Sequence, residues 1–366
     1  MSLSVGIVGL PNVGKSTLFN ALTKNNVLMA NYPFATIDPT VGVVAVPDSR
    51  LKTLSNLSGS EKCIPAVVEF VDIAGLVKGA SAGEGLGNKF LANIRETDMI
   101  AQVVRIFEDS DIHHVSGGID PMGDIETINL ELIMADAETV SKRIGTLARD
   151  VRAGDKDAVA LQDLLSRLLP HLEAGSLANS FSMTESEEKL IKGLHLLTMK
   201  PFLYVCNKKQ DGFNLDEHND ERWQELVEFF ESTGAEYVVV DAGMEHELKD
   251  LSEEEKTEFR REYGAQDSGV ESLIRAAYAR LGLMSYFTTG EKETRAWTVK
   301  RGATGPEAGA AIHTDFKDKY IRAQVVRFED LVSAGSKAVA RDQGKLRTEG
   351  KEYIVQDGDV IEFLHS

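Results

Sequence analysis

The chain has 366 residues and a formal net charge of −18 at pH 7, so it is long enough for roughly two or three domains that each bury a core. Its two cysteines, Cys63 and Cys206, are too few for a disulfide framework, and no apolar run approaches the ~18 residues of a membrane-spanning helix. The N-terminus lacks a signal-peptide pattern. We therefore expect a cytoplasmic protein without membrane contact, and the acidic total argues against DNA as a partner.

A phosphate-binding loop is predicted at residues 9–17, which fit the pattern G-x-x-x-x-G-K-S without a mismatch. Glycines let successive N–H groups turn toward phosphate oxygens, Lys15 adds positive charge at the β- and γ-phosphates, and the Ser16 hydroxyl is a ligand for Mg²⁺. An apolar strand precedes the loop and an amphipathic helix follows it, so a chance Gly-Lys-Ser in an ordinary turn is the weaker alternative. The residues that we assign to nucleotide binding here are Asn12, Val13, Gly14, Lys15, Ser16 and Thr17, and Lys15 is also assigned to catalysis.

A first switch segment is predicted at residues 31–40, where two prolines exclude a regular helix. Thr36 and Thr40 are both candidates for the threonine that such a loop offers to Mg²⁺, and we assign this role to Thr36. A strand at 41–46 and a helix at 48–58, capped by Asp48, are expected to follow. A plain surface loop at 31–40 is the alternative.

The next strand, 65–71, ends in the sequence Asp72-Ile73-Ala74-Gly75. At this distance from a phosphate loop, Asp72 is expected to hold Mg²⁺ through a water, and the Gly75 N–H to sense the γ-phosphate. Leu76 follows, where Ras-like hydrolases carry a water-orienting Gln, so another group has to position the attacking water. The glycine-rich stretch 78–87 is predicted to be a second switch.

Two histidines, His113 and His114, follow a predicted strand at 99–107, on the side where open α/β sheets place their ligands. Surface imidazoles are the ordinary interpretation of such a pair, but the missing Gln favours a functional role. A zinc site is not expected, because no cysteine or third ligand has a suitable spacing.

Between residues 126 and 199 the sequence becomes helical. Apolar residues step by four and three from Ile133 to Val151, which is a heptad seam, and an apolar second helix follows the break at Gly154. This predicts an antiparallel helical hairpin, either a protruding arm for a partner or an internal packing element.

The strand at 201–206 leads to Asn207-Lys208-Lys209-Gln210, where guanine-binding proteins carry Asn-Lys-x-Asp. A glutamine lacks the charge and the two-oxygen fork of that Asp, so guanine specificity should be weak, while its carbonyl oxygen accepts from adenine N6–H₂. We assign Asn207, Gln210, Ala242 and Gly243 to nucleotide binding, the last two because they follow the strand at 236–240.

Residues 281–366 are electrically neutral, with 13 Lys and Arg against 13 Asp and Glu, so the acidic excess lies before them. Strand-like runs at 295–300, 320–328, 353–355 and 360–364 predict a small α+β module. Its basic residues either face RNA phosphates or form a solvated surface of mixed charge, and the second is favoured.

Together these motifs resemble the YchF family, also called Obg-like ATPases, over essentially the whole chain. The resemblance is carried by residues 9–17, 31–36 and 72–80, by Arg-Ala-Trp at 295–297 and by Ile-His-Thr-Asp-Phe at 312–316. It implies an α/β P-loop G domain (1–125 and 200–280), an inserted helical coiled-coil arm (126–199) and a C-terminal α+β β-grasp, ubiquitin-like TGS domain (281–366). It also implies ATP in preference to GTP, ribosome binding through the TGS domain and the arm, and His114 as the catalytic histidine. The family's fourth motif usually ends in Glu, whereas this chain has Gln210.

The primary hypothesis is therefore a Mg²⁺-dependent ATPase that binds ribosomes and acts as a switch in translation or stress regulation. Its catalytic residues are His114, Lys15 and Gly75, and its metal ligands are Ser16, Thr36 and Asp72. A GTPase or dual-specificity enzyme, and a nucleotide-gated protein that presents a conformation to RNA or ribosomes, are the alternatives. A further hypothesis places K⁺ beside Asn12.

Overall fold

The computed structural model describes residues 3–24, 40–73, 85–109, 118–248, 251–262 and 268–365. Thr36, Gly75, Leu76, His113 and His114 lie outside the described residues. The strands are β1 (Ser4–Val8), β2 (Val41–Ala45), β3 (Lys62–Ile64), β4 (Val67–Asp72), β5 (Met99–Arg105), β6 (Phe107–Glu108), β7 (Phe202–Asn207), β8 (Phe213–Asn214), β9 (Glu236–Val240), β10 (Leu283–Thr289), β11 (Glu293–Lys300), β12 (Tyr320–Arg327), β13 (Arg347–Glu349) and β14 (Asp359–His365). The helices are α1 (Lys15–Lys24), α2 (Ser49–Ser58), α3 (Gly85–Glu96), α4 (Pro121–Arg152), α5 (Lys156–Glu173), α6 (Glu185–Ile191), α7 (Glu221–Thr233), α8 (Ala242–Leu248), α9 (Glu253–Glu262), α10 (Gly269–Arg280), α11 (Gly305–Ile312), α12 (Asp315–Asp318), α13 (Phe328–Ala334) and α14 (Lys337–Asp342).

The first sheet has the strand order β2-β4-β1-β5-β7-β9. All neighbours in it are parallel except β2, which runs antiparallel to β4. Every residue of β5 and β7 is buried, as expected for central parallel strands whose two faces are both covered. The carboxyl ends of β1, β4, β5, β7 and β9 meet at one edge, so the loops that follow these strands form one surface.

The long helix α4 has 32 residues and contributes side chains to two hydrophobic cores. Near its N-terminus, Ile125, Ile128 and Leu132 pack into the central core, whereas Val140 and Leu147 join α5 in a separate cluster. The expected hairpin is therefore present, with a turn at 153–155, and the expected boundary at residue 126 falls inside α4.

The second sheet has the order β13-β12-β14-β10-β11-β3 and forms the C-terminal α+β module. Strand β3 comes from the N-terminal part of the chain and pairs in parallel with β11, from Lys62 opposite Glu293 to Ile64 opposite Arg295. The expectation of a strand at 353–355 is wrong, because the backbone of this segment is hydrogen-bonded to the 303–305 turn and forms one isolated bridge, at Ile354, rather than a strand. Strand β13 pairs with β12 instead. No helix within the described ranges is long and apolar enough to cross a membrane.

Candidate nucleotide-binding site

The phosphate loop connects the end of β1 to the start of α1. Asn12 and Gly14 have left-handed backbone angles, with φ of 64° and 92°, and the first helical hydrogen bond joins the Leu18 N–H to the Gly14 carbonyl at 2.9 Å. Val13 is fully buried, while Asn12 and Ser16 are exposed. The loop therefore curls over a helix N-terminus, which is the geometry that binds phosphate groups.

Lys15 and Asp72 form an ion pair at this loop, with side chains that are 10% and 23% exposed. Asp72 lies opposite Ile7 in the β1–β4 pair, and its N–H donates to the Thr40 carbonyl at 2.8 Å. The strand pairing thus brings the predicted metal carboxylate to the predicted phosphate lysine, and Ser16 follows in the first turn of α1.

The donor set at this point fits Mg²⁺. Ser16 offers a hydroxyl and Asp72 a carboxylate, both hard oxygen ligands. Among the described residues, no group of three His, Cys, Asp or Glu side chains could hold a metal by itself. A site with few protein ligands suits Mg²⁺, which is usually bound by one or two carboxylates together with substrate phosphates. Thr36, the third predicted ligand, lies outside the described residues.

Asn207 joins the phosphate loop to the loop after β9. Its side-chain Nδ2 donates to the Val13 carbonyl at 2.9 Å, and its Oδ1 accepts from the Ala242 N–H at 3.0 Å. A Cβ at Gly14 would collide with the same Nδ2, so the second glycine of the motif is needed both for its backbone angle and for this close approach. Asn207, 3% exposed, therefore holds the two loops together.

The segment 208–214 is fixed by Asn214, which sequence reasoning missed. The Oδ1 of Asn214 accepts from the Lys209 N–H at 2.9 Å, and its Nδ2 donates to the Lys209 carbonyl at 2.9 Å. Gln210 is half-buried within this loop. Asn214 is 2% exposed. In the sequence, the only signal for its role is an asparagine that follows a turn.

Asp241 was also missed, although an Asp between a strand and a helix is a capping signal. Its Oδ1 accepts from the Met244 N–H at 2.8 Å. Burial raises the pKa of its carboxyl, against the opposing effect of backbone hydrogen bonds from Met244, Gln210 and Gly243. Ala242 is buried and Gly243 exposed at the start of α8.

Arg105 lies at the end of β5, before the segment that contains His114. It is 1% exposed, its Nε donates to the Phe107 carbonyl at 3.0 Å, and its Nη2 donates to the Asp109 carbonyl at 3.2 Å. Burial lowers the pKa of its guanidinium. These contacts bind Arg105 to the stem of the 110–117 segment, so its guanidinium is engaged with the protein backbone.

Comparison with known proteins decides the family. A family model described as "50S ribosome-binding GTPase" matches residues 4–138. A second, named YchF-GTPase_C and described as a protein of unknown function, matches residues 283–366. The "Ribosome-binding ATPase YchF" of Bacillus subtilis is 53% identical over 363 residues, which cover 99% of each chain. The chain belongs to the YchF family.

Two further YchF proteins agree over the full length. The relative in Haemophilus influenzae is 50% identical and covers 99% of each chain, and the relative in Escherichia coli O157:H7 is 47% identical and covers 100% of this chain and 99% of its own. The solved "YchF GTPase" of Schizosaccharomyces pombe is 36% identical, with a TM-score of 0.88 over 99% of this chain and 98% of its own. The predicted family and fold class, a P-loop G domain followed by a C-terminal YchF domain, are thereby confirmed.

The structure thus groups most of the predicted site residues. Lys15, Ser16 and Asp72 lie together at the phosphate loop, and Asn207 links this loop to Ala242. Gln210 lies in the loop after Asn207, and its backbone N–H acts to lower the pKa of Asp241.

Proposed function

We propose that this YchF protein is a Mg²⁺-dependent P-loop ATPase that converts ATP to ADP and phosphate and that binds ribosomes. The observation that carries the proposal is the ion pair of Lys15 with Asp72 beside a glycine-rich helix N-terminus, in a chain whose relatives are named ribosome-binding ATPases. A cytoplasmic location, where ribosomes occur, and a switch role in translation or stress regulation are parts of the same proposal.

In this proposal the phosphate loop does the binding. The backbone N–H groups of residues 12–17 surround the phosphates, and the Lys15 ammonium, held at the end of β4 by Asp72, compensates the charge of the β- and γ-phosphates. Bound Mg²⁺ would neutralise charge between these phosphates, with Ser16, Asp72 and Thr36 to hold it. Asn207 keeps the loop in this shape from behind.

His114 is proposed to orient the attacking water and the Gly75 N–H to contact the γ-phosphate. Arg105 is engaged with the Phe107 and Asp109 carbonyls, so it does not serve as an arginine finger from this position. Since a finger supplied by a partner is worth about 10³–10⁵ in rate, the isolated protein should turn over slowly, and ribosomes are proposed to stimulate it.

GTP is the second candidate substrate, because the matching G-domain model and the solved relative both carry the name GTPase. Side-by-side titration of the wild type with ATP and GTP, followed by hydrolysis assays, tests the proposal. Tighter binding and faster turnover of ATP support it, whereas a clear preference for GTP would replace it with the GTPase. A gain of GTP binding in Gln210→Asp would show that this position contributes to the choice of base.

Ribosome binding is proposed to use the C-terminal module and the α4–α5 arm. Co-sedimentation of ribosomes with the full chain and with a chain truncated at about Leu281 tests this part. Unchanged binding by the truncated chain would exclude the C-terminal module. Loss of hydrolysis with retained nucleotide-dependent binding would instead favour the nucleotide-gated protein that presents a conformation to ribosomes.

A further inference from the structure

We propose that Asp241 selects the base, because it takes up backbone N–H groups that a guanine carbonyl would need and leaves a carboxylate acceptor for an adenine amino group. The inference rests on the proposed function, since it takes the nucleotide to lie on the phosphate loop with its base at the 208–210 and 241–244 loops. The two bases differ at C6, where adenine carries a donor and guanine an acceptor.

Backbone N–H groups from both loops are directed at the Asp241 carboxylate. The Met244 N–H donates to Oδ1 at 2.8 Å, and the N–H groups of Gln210 and Gly243 are directed at the same carboxyl and act to lower its pKa. Asp241 is 5% exposed, so these bonds form away from bulk water, where a missing partner is costly. One acidic side chain therefore joins the two loops.

The remaining N–H groups of these loops also have acceptors within the protein. Ala242 donates to the Asn207 Oδ1 at 3.0 Å, Lys208 to the Val240 carbonyl at 2.9 Å, and Lys209 to the Asn214 Oδ1 at 2.9 Å. Four of the six backbone donors of residues 208–210 and 242–244 are thus hydrogen-bonded, and the other two, of Gln210 and Gly243, are directed at the Asp241 carboxylate. A guanine O6 would have to displace one of these bonds or compete with Asp241 for a donor, whereas an adenine N6–H₂ needs only an acceptor.

The neighbouring side chains leave the discrimination to Asp241. The ammonium groups of Lys208 and Lys209 are paired with Glu217 at 2.8 Å and with Asp109 at 2.5 Å. The Gln210 amide carries both a donor and an acceptor, so by rotation it can serve either base. A carboxylate only accepts when ionised, so an Asp241 oxygen that faces C6 of the base accepts from an adenine amino group and repels a guanine carbonyl.

The competing explanation is that Asp241 only caps α8. Asp155 provides a matched control, because its Oδ1 accepts from the Ala158 N–H at 2.9 Å at the start of α5, in the arm and away from the loops. Asp155→Asn removes the charge from a cap of the same geometry. Asp241→Ser keeps a capping oxygen at residue 241 and removes the carboxylate.

The experiment measures dissociation constants of ADP, GDP and IDP for the wild type, Asp241→Asn, Asp241→Ser and Asp155→Asn, with melting curves for each. Diphosphates need no hydrolysis, and IDP shares the C6 carbonyl of guanine without its amino group. We expect the wild type to prefer ADP and both Asp241 variants to lose about tenfold or more of the ADP-to-GDP preference. IDP should follow GDP, and Asp155→Asn should keep the wild-type ratio.

A wild-type ADP-to-GDP ratio in folded Asp241→Ser would overturn the inference and leave the capping role, as would IDP affinities that follow ADP. Should Asp241→Asn fail to fold, the serine variant decides by itself. Absence of any nucleotide binding by the folded wild type would overturn the proposed function together with this inference. Absence of ATP hydrolysis with the expected ADP, GDP and IDP series would count against the ATPase alone and support the role of Asp241.

Discussion

Replacement of Asn207 by alanine should weaken nucleotide binding by more than a general loss of stability would. The side chain is 3% exposed and makes two hydrogen bonds, to the Val13 carbonyl at 2.9 Å and from the Ala242 N–H at 3.0 Å. Asn207→Ala removes both and leaves two backbone groups unpaired. Val13 is 0% and Ala242 1% exposed, so water cannot easily replace the lost partners.

An unpaired buried backbone group costs about 1–3 kcal/mol, so the two together cost about 2–6 kcal/mol. Part of this cost lowers the free energy of unfolding. The other part lowers the free energy of nucleotide binding, because the nucleotide then has to order the phosphate loop itself. A loss of only about 2 kcal/mol of binding free energy corresponds to a roughly thirtyfold higher dissociation constant. We expect ADP affinity to fall at least that far.

Calorimetric titration of ADP and melting curves on the same samples provide the assay. Asn214→Ala is the control, because Asn214 is equally buried and holds both the N–H and the carbonyl of Lys209 without touching the phosphate loop. It should lose comparable thermal stability and less affinity. If Asn207→Ala binds ADP within about threefold of the wild type, or if Asn214→Ala loses as much affinity, the reasoning from the Val13–Asn207–Ala242 contacts is wrong.

His114→Ala should abolish single-turnover ATP hydrolysis and retain ADP binding, whereas Lys15→Ala should abolish binding; wild-type hydrolysis by the histidine variant would exclude it as the catalytic group. Arg50→Ala should destabilise the protein by up to about 1 kcal/mol in urea titrations, because it removes the partly exposed ion pair with Asp357 at 2.9 Å. Burial acts to raise the pKa of Asp357, but Arg50 and the Ser285 N–H outweigh it and lower the pKa below its ordinary value. The stability that the Arg50–Asp357 pair contributes is therefore present above the unfolded pKa of about 4 and should disappear as pH falls further. An equal effect of Arg50→Ala at pH 7 and pH 3 would contradict this. Hydrolysis should be faster in KCl than in NaCl if K⁺ binds beside Asn12, and equal rates would remove that site.

Much of the fold could be predicted, because its signals are local. The strand before the phosphate loop is an apolar run that ends at a glycine-rich turn, and β4 and β7 are apolar runs that end in Asp72 and Asn207. Parallel strands with two buried faces produce such runs, and the loops at their carboxyl ends then have to meet. The grouping of the phosphate loop with Asp72 and Asn207 follows from this rule alone.

The parts that could not be predicted depend on contacts that are distant in sequence. Strand β3 has only three residues, two of them exposed, and its partner β11 lies more than two hundred positions later. The pattern of polar and apolar side chains at Lys62, Cys63 and Ile64 does not predict a strand. The segment at 353–355 shows the reverse case, because its β-branched residues favour a strand but β13 occupies the neighbouring position beside β12.

Strand β3 also crosses the predicted boundary between the G domain and the C-terminal module. The residues from β2 to β4 leave the first sheet, pair with β11 and return to end at Asp72. On the way, the Ser60 hydroxyl donates to the Gly290 carbonyl at 2.7 Å, and the Ser58 hydroxyl lies 2.7 Å from that of Thr289. The C-terminal module is therefore attached to the same short stretch of chain that supplies the carboxylate beside Lys15. Residues 281–366 contain most of the second sheet, but that sheet is completed only by a strand from the nucleotide-binding part of the molecule.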